Sequence, residues 1–115
     1  MAARVTSALW VSAFVRRSNG EGAFATVARR GAEEAGAIAI VIDRLDGRID
    51  LYLPAPQTAF DDEAVTDRMF QLVLAEADRV AVGERLEREK RFDPDLWVVD
   101  VEDRAARVLF ELARD

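Results

Sequence analysis

The stretch FDPDLWVVDVED, residues 92–103, carries five carboxylates within twelve residues. Asp100 and Glu102 are two residues apart on a predicted strand, so they lie on the same side, about 7 Å apart. With a third ligand, such a pair could hold a hard cation such as Mg²⁺, Mn²⁺ or Ca²⁺. Together with Asp93 and Asp95, they are the candidate metal ligands of a divalent-metal-dependent hydrolase or nuclease-like enzyme.

The nuclease pattern itself is incomplete in this stretch. The pattern consists of Pro-Asp, a later acidic residue, one further residue and then lysine. Here it would begin at Pro94 and Asp95, but the spacing from Asp95 to Asp100 is too short. Glu102 stands where the pattern has its lysine, and Lys90, the one lysine of the chain, lies upstream. The stretch therefore has the carboxylates that a metal site needs, but their spacing does not match this nuclease pattern.

A structural explanation of the same residues is favoured. Pro94 disfavours the helical conformation at Asp93, so the preceding helix ends there. Asp-Pro-Asp is typical of a type I turn, with Asp first and Pro second. The strand after the turn places Trp97 with two valines on one face, and Leu96 with Asp100 on the other. The acidic stretch is thus predicted to be a turn followed by a strand.

Several common chemistries are excluded by residue type. The chain has neither cysteine nor histidine, which removes disulfides, thiolate catalysis and zinc sites of the Cys/His kind. Its serines have no histidine to activate them, and neither GxSxG nor a phosphate-binding GxxxxGK[ST] or GxGxxG motif is present. We therefore assign no catalytic residue, expect no cofactor, and lean against an enzyme.

Paired arginines offer a second kind of site. Arg16 and Arg17 end the first predicted helix, and Arg29 and Arg30 end the first predicted strand. Four guanidinium groups brought together could clamp a phosphate or carboxylate, as in a small-anion or nucleotide-binding module. We favour instead pairing of these arginines with the acidic second half of the chain. Residues 61–115 hold nine basic and sixteen acidic residues, whereas residues 1–60 hold seven and six.

The elements that must position these groups follow from hydrophobic periodicity and turn signals. Helices are predicted at 5–18 and 76–92, with a short closing helix or extension at 105–113. Strands are predicted at 23–29, 37–43, 48–53, 68–75 and 96–102, and 57–67 is a polar connection. Asp46-Gly47 is a strong hairpin signal. The predicted fold class is α+β: a mostly antiparallel sheet of about five strands, beginning with a three-stranded meander, with helices on one face.

The bulk composition sets the class of protein. The 115 residues, half of them hydrophobic, form one predicted domain, 1–115. A net charge of −6 argues against nucleic-acid binding and against adsorption to anionic membranes. The longest apolar run, residues 35–42, is too short to span a bilayer. We expect a cytoplasmic protein.

The order of several blocks resembles a known family. LWVSAFVRR, GAFATVARRG, AGAIAIVIDRLDG, LYLPAP and RFDPDLWVVDVEDRA are similar to the bacterial, alphaproteobacterial domain-of-unknown-function family 1491, from about Leu9 to Ala105. RFDPDLWVV is the most specific block. The resemblance implies a small protein of about this length, and it implies no activity and transfers no site residue.

The leading hypothesis is a non-enzymatic module that works through contacts with another protein or with a second copy of itself. The strand LWVVDV has apolar residues on both faces, and a partner surface would cover Leu96 and Val98. Trp97 is a candidate interface anchor, because tryptophan is enriched at such positions. The simpler expectation for the aromatic residues, Phe24 and Trp97 included, is the core. The metal-dependent enzyme and the anion-binding module remain the alternatives.

Overall fold

The computed structural model describes residues 5–56 and 68–113, which form an α+β fold of two helices and one six-stranded mixed sheet. The predicted connection at 57–67 lies outside the described residues. The helices are α1 (Ser7–Gly20) and α2 (Arg79–Phe92). The strands are β1 (Phe24–Arg29), β2 (Ile38–Asp43), β3 (Ile49–Pro54), β4 (Met69–Ala77), β5 (Trp97–Glu102) and β6 (Glu111–Leu112).

The strand order across the sheet is β1-β5-β2-β3-β4-β6. β5 is inserted between β1 and β2; it runs antiparallel to β1 and parallel to β2. The pair β4–β6 is also parallel, and the other pairs are antiparallel. The predicted sheet is therefore only roughly right: it has a sixth strand and is mixed.

The predicted meander of the first three strands is wrong, because β1 does not pair with β2. Asp46-Gly47 does form the β2–β3 hairpin, with Gly47 at φ +91°. The antiparallel run continues from β3 to β4, so the meander consists of β2, β3 and β4. No comparable tight turn joins β1 to β2; the loop at 30–37 instead carries the chain past β5.

The two helices cover opposite faces of the sheet, which corrects the prediction that they share one face. Val11 and Phe14 of α1 pack in one core cluster with Ile38 and Ile40 of β2. Val82 of α2 packs in a second cluster that contains Ala39, Val41, Leu51 and Leu53. The central strands are apolar on both faces, so each face requires its own cover.

Both helices begin at side-chain caps. The Thr6 hydroxyl accepts a hydrogen bond from the Leu9 amide at 3.1 Å, and the Asp78 carboxylate accepts one from the Ala81 amide at 2.8 Å. Such caps satisfy amides that the helix itself leaves unpaired. Neither α1 nor α2, the helices of the described ranges, is long and apolar enough to cross a membrane.

The C-terminal segment forms a strap, so of the two predicted alternatives for 105–113, a short closing helix or an extension, the structure has the extension. Ala106 has φ +52°, which is incompatible with a helix, and residues 111–112 form β6. Phe110 packs edge-on against Tyr52 and Phe70, with ring centroids 4.9 and 5.2 Å away. The strap therefore completes the α1 face of the sheet over β3 and β4.

Candidate functional site

The first end of the acidic stretch is a turn, as predicted. The Asp93 carboxylate accepts a hydrogen bond from the Asp95 amide at 3.0 Å, and the Asp93 carbonyl accepts one from the Leu96 amide at 3.2 Å. Asp93 also ends α2, since its amide donates to the Glu89 carbonyl. Its carboxylate thus stabilises the reversal from α2 into β5.

The loop at 30–37 holds this turn by backbone contacts. The Ala32 amide donates to the Asp95 carbonyl at 3.0 Å, and Nε1 of Trp97 donates to the Ala32 carbonyl at 2.7 Å. A Cβ on Gly31 or Gly36 would lie only 2.1 or 2.4 Å from the Asp95 carbonyl oxygen. Two glycines are therefore needed for the two backbones to approach this closely.

Trp97 belongs to the core of the α1 face. Its side chain is 1% exposed, and the Arg30 guanidinium lies over its ring, 5.0 Å from the centroid. A residue this deeply buried does not anchor a surface contact. Leu96 and Val98 are buried as well, against the α2 side of the sheet. The partner surface expected from LWVVDV is covered by the protein itself.

The second end of β5 has a different environment. Asp100 and Glu102 are exposed on the face of the sheet that α2 occupies elsewhere. In the β1–β5 register, Thr26 lies opposite Asp100 and Phe24 lies opposite Glu102. Since α2 packs on β3 and β4, these four side chains of β1 and β5 form an open patch, which we call the bare face.

The four candidate metal ligands do not converge. Asp93 and Asp95 precede β5, whereas Asp100 and Glu102 lie at its far end. Residues 5–56 and 68–113 contain no group of three or more acidic side chains arranged to hold a metal ion. The pair Asp100 and Glu102 is the part of the predicted metal site that stays together.

The pKa of Asp100 is raised above its usual value. Partial desolvation is the main cause; Arg79 opposes the rise, whereas Asp43 and Glu102 add to it. Arg79 is itself paired with Asp43, at 3.2 Å. Within the described ranges, the Asp100 carboxylate forms neither a hydrogen bond nor an ion pair. The bare face therefore holds a carboxylate whose charged form the fold disfavours.

The four candidate arginines lie in two separate places. Arg16 and Arg17 are in the last turns of α1, close to the start of β1, whereas Arg29 and Arg30 lie at the end of β1. The Arg29 guanidinium donates to the Leu96 carbonyl, and Arg17 donates to the Leu109 carbonyl. These contacts are to carbonyl oxygens rather than to the acids that were expected.

Of these four arginines, Arg17 lines a sizeable cavity in the described part of the chain. The cavity has a volume of about 420 Å³ and lies between α1 and the strap, with Trp10, Phe14 and Phe110 among its walls. Arg68 also lines this cavity, but Arg17 already donates to the Leu109 carbonyl, and Arg68 donates to the Val5 carbonyl and the Ser7 hydroxyl. Guanidinium donors that the protein itself uses make a weak anion clamp. The geometry therefore gives the anion-binding hypothesis little support.

β1 forms one edge of the sheet, and it is unusually free of charge. Phe24 is 60% exposed and Val27 is 40% exposed, and none of residues 24–28 is charged or proline. The expectation that Phe24 belongs to the core is therefore wrong: at an edge strand its face has no neighbour to cover it. An irregularity between Val27 and Arg29 ends the regular pairing with β5.

The sequence matches the family described as "Protein of unknown function (DUF1491)" over residues 5–111. The chain belongs to this family. The resemblance drawn from the sequence blocks is thereby confirmed. No curated protein matches the chain.

Similar solved structures have the same fold, and two of them are described as DUF1491 family proteins. The solution structure of Atu0922 from A. tumefaciens is similar with a TM-score of 0.84 and 42% identity, over 98% of each chain. A crystal structure of a DUF1491 family protein from Caulobacter crescentus has a TM-score of 0.77 and 31% identity, over 97% of this chain and 100% of that one. An NMR structure of a DUF1491 family protein from Caulobacter crescentus has a TM-score of 0.78 and 31% identity.

Two other carboxylates, Asp50 and Asp103, have structural roles that the sequence did not predict. Asp50 is 2% exposed; it accepts from Arg44 at 2.8 Å and from the Glu76 amide at 2.7 Å. Asp103 is buried and accepts from the backbone and side chain of Arg107. These acids hold turns and bulges, which leaves the bare face and the β1 edge as the candidate site.

Proposed function

We propose that this protein is a non-enzymatic protein-binding module that adds an extended segment of a partner protein to the free edge of β1. The observation that carries the proposal is the edge itself, a six-residue strand without a charge before its last residue, Arg29, and with an exposed phenylalanine. Strand addition uses the unpaired backbone groups of an edge for affinity and neighbouring side chains for specificity.

The absence of the usual protection supports this function. Natural sheet edges are commonly blunted by lysines, prolines or inward-pointing charges, because an unprotected edge pairs with other chains. FATVA, residues 24–28, contains none of these and consists mainly of residues compatible with a strand. One backbone position of this edge is covered, because the Asn19 side-chain amide accepts a hydrogen bond from the N–H of Ala25 at 2.8 Å and donates one to its carbonyl at 3.4 Å. An added strand therefore has to displace this amide to pair at Ala25.

The opposite edge of the sheet is a natural control. There, β6 covers the first two residues of β4, and the β3–β4 pairing is interrupted by register shifts on either side of Leu51. Bulges of this kind twist an edge and discourage further pairing. β1 has one irregularity as well, between Val27 and Arg29. The two edges differ in cover: β6 pairs with the outer side of β4, whereas no strand of the described residues pairs with the outer side of β1.

Affinity capture from bacterial lysate with matched edge variants tests the proposal. Val27→Lys places a charge on the β1 edge, and Leu72→Lys places the same charge on exposed β4. We expect Val27→Lys to lose a wild-type partner that Leu72→Lys keeps, and the partner to protect β1 amides from hydrogen exchange. A partner retained equally by both variants, or β1 amides exchanging unchanged in the complex, would exclude strand addition at β1.

A further inference from the structure

The bare face lies directly beside the edge to which the partner strand is added. Thr26 and Phe24 of β1 point to this face, and Asp100 and Glu102 lie opposite them on β5. Side chains of an added strand that point the same way would stand next to Thr26 and Phe24. The nature of the four residues therefore determines which partner side chains are accommodated.

We infer that the partner segment is basic and carries a lysine or arginine beside Thr26, whose charged end lies over that threonine and pairs with Asp100. The inference rests on the proposed function, because only a strand added to β1 brings the side chain to this position. The partner is thus an extended segment in which cationic residues on the side of the bare face alternate with residues that point to the α1 side of the sheet.

The distances of a β-sheet permit this contact. An added strand would lie about 10 Å from β5, twice the spacing of neighbouring strands. Thr26 is short, so the aliphatic stem of a lysine or arginine can pass over it while the charge reaches the Asp100 carboxylate. Beside it, the exposed ring of Phe24 offers a face on which an arginine at the next outward position can stack.

The electrostatics of the bare face favour a cation. Asp100 has no hydrogen-bond donor or ion pair among the described residues, and the nearby Arg79 is paired with Asp43. A cation above Asp100 would compensate the partial desolvation that raises the pKa of this carboxyl group. The net charge of −6 also attracts a basic segment at long range.

A second copy of this chain fits the bare face less well than a basic partner. The arginines that its own β1 would supply are already used: Arg29 donates to the Leu96 carbonyl, and Arg30 lies over Trp97. Two copies would also bring like net charges together. The partner that the charges favour is therefore a different protein.

Three synthetic peptides of ten residues test the inference. In the extended conformation, one face of each peptide carries alternating threonine and valine. The other face carries arginine in the first peptide, glutamine in the second and glutamate in the third. Each is titrated into the isotope-labelled full chain, and binding is followed by chemical shifts of the β1 amides. The protein variants are the wild type, Asp100→Asn combined with Glu102→Gln, and a control, Glu84→Gln, on exposed α2.

We expect the arginine peptide to bind at β1 about fivefold tighter than the glutamine peptide, as two partly exposed ion pairs would give. The double variant should remove this preference, Glu84→Gln should keep it, and high salt should weaken it. Equal binding of the arginine and glutamine peptides at β1 would overturn the inference and leave strand addition standing. If none of the three peptides shifts the β1 amides, strand addition and the inference both fail.

Discussion

The two ends of β5 show how one residue type takes two roles. At the first end, the Asp93 carboxylate accepts a hydrogen bond from a backbone amide of its own turn, and the turn is enclosed by a glycine-containing loop. At the second end, Asp100 faces an uncovered part of the sheet and has no such donor in the described chain. The first carboxylate stabilises the fold, whereas the second is the one that we propose a partner uses.

The difference arises from what packs above each end rather than from the local sequence. The loop at 30–37 closes over the start of β5, and Val82 of α2 packs in one cluster with Leu96 and Val98 but not with Asp100 or Glu102. Changes at the first end should therefore lower the free energy of unfolding. Changes at the second end should leave that free energy nearly intact and alter binding instead.

The largest effect is expected for Gly31→Ala. The new Cβ would lie 2.1 Å from the Asp95 carbonyl oxygen and 2.8 Å from the Leu96 carbonyl carbon, so backbone must move. We expect a loss of about 3 kcal/mol, at the upper end of overpacking, measured by urea unfolding. The matched control is Gly83→Ala in α2, where nothing lies within 4 Å; it should gain up to about 1 kcal/mol. Equal stability of both variants would contradict the close approach.

Trp97→Phe should have the next largest effect. The substitution removes the indole Nε1, which donates to the Ala32 carbonyl at 2.7 Å. Because Trp97 is only 1% exposed, the smaller ring also leaves a small void in the core. We expect a loss of about 2 kcal/mol in the same measurement, because a carbonyl is left unpaired and packing is reduced. Binding of the arginine peptide, measured below the unfolding transition, should be unchanged; a weakened peptide affinity would show that the two ends are coupled.

Asp93→Ala should lower the free energy of unfolding by about 1 kcal/mol, since the Asp95 amide loses its acceptor. Asp93→Asn keeps an oxygen at the same position and should stay close to the wild type. Thermal unfolding of the pair checks this prediction. A loss as large for asparagine as for alanine would mean that the charge, and not the turn hydrogen bond, is what matters at the first end.

The smallest effect, and of opposite sign, is expected for Asp100→Asn at the second end. Its pKa is raised by desolvation, with Arg79 opposing and Asp43 and Glu102 adding to the rise, so the charged carboxylate slightly destabilises the fold at neutral pH. The variant should be more stable at pH 7 by a few tenths of a kcal/mol after solvent screening.

The sign of this difference sets its pH dependence. A raised folded-state pKa means that the penalty is complete above that value and disappears as the pH falls through it towards about 4, the usual value of an aspartate. Unfolding curves of wild type and Asp100→Asn should therefore converge at low pH. An Asp100→Asn protein less stable than the wild type at pH 7 would assign this carboxylate a structural role.

Local patterns predicted the elements better than their arrangement. The Asp46-Gly47 hairpin, the turn at Pro94 and the two faces of β5 were each contained in a few neighbouring residues. The pairing of β5 with β1 and β2 joins residues about 70 and 60 apart, and no short pattern encodes it. For residues 105–113 the pattern left a short helix and an extension open, because a strap and a helix both need apolar residues to reach the core.

The candidate site was predicted in part for the same reason. Alternation along β5 correctly placed Asp100 and Glu102 on one face, since that property depends on period alone. The exposure of Phe24 could not be predicted, because it depends on β1 lying at the edge and on α2 stopping short of it. The site exists only where two distant segments have paired.

The insertion of β5 between β1 and β2 has a consequence for the order in which the chain can fold during synthesis. β2, β3 and β4 are consecutive and can pair as soon as they are made, whereas β1 has no partner in the described chain except β5. At roughly 5–20 residues per second, the ribosome needs on the order of 4 to 15 seconds to reach β5. For that interval FATVA has no partner strand on either side.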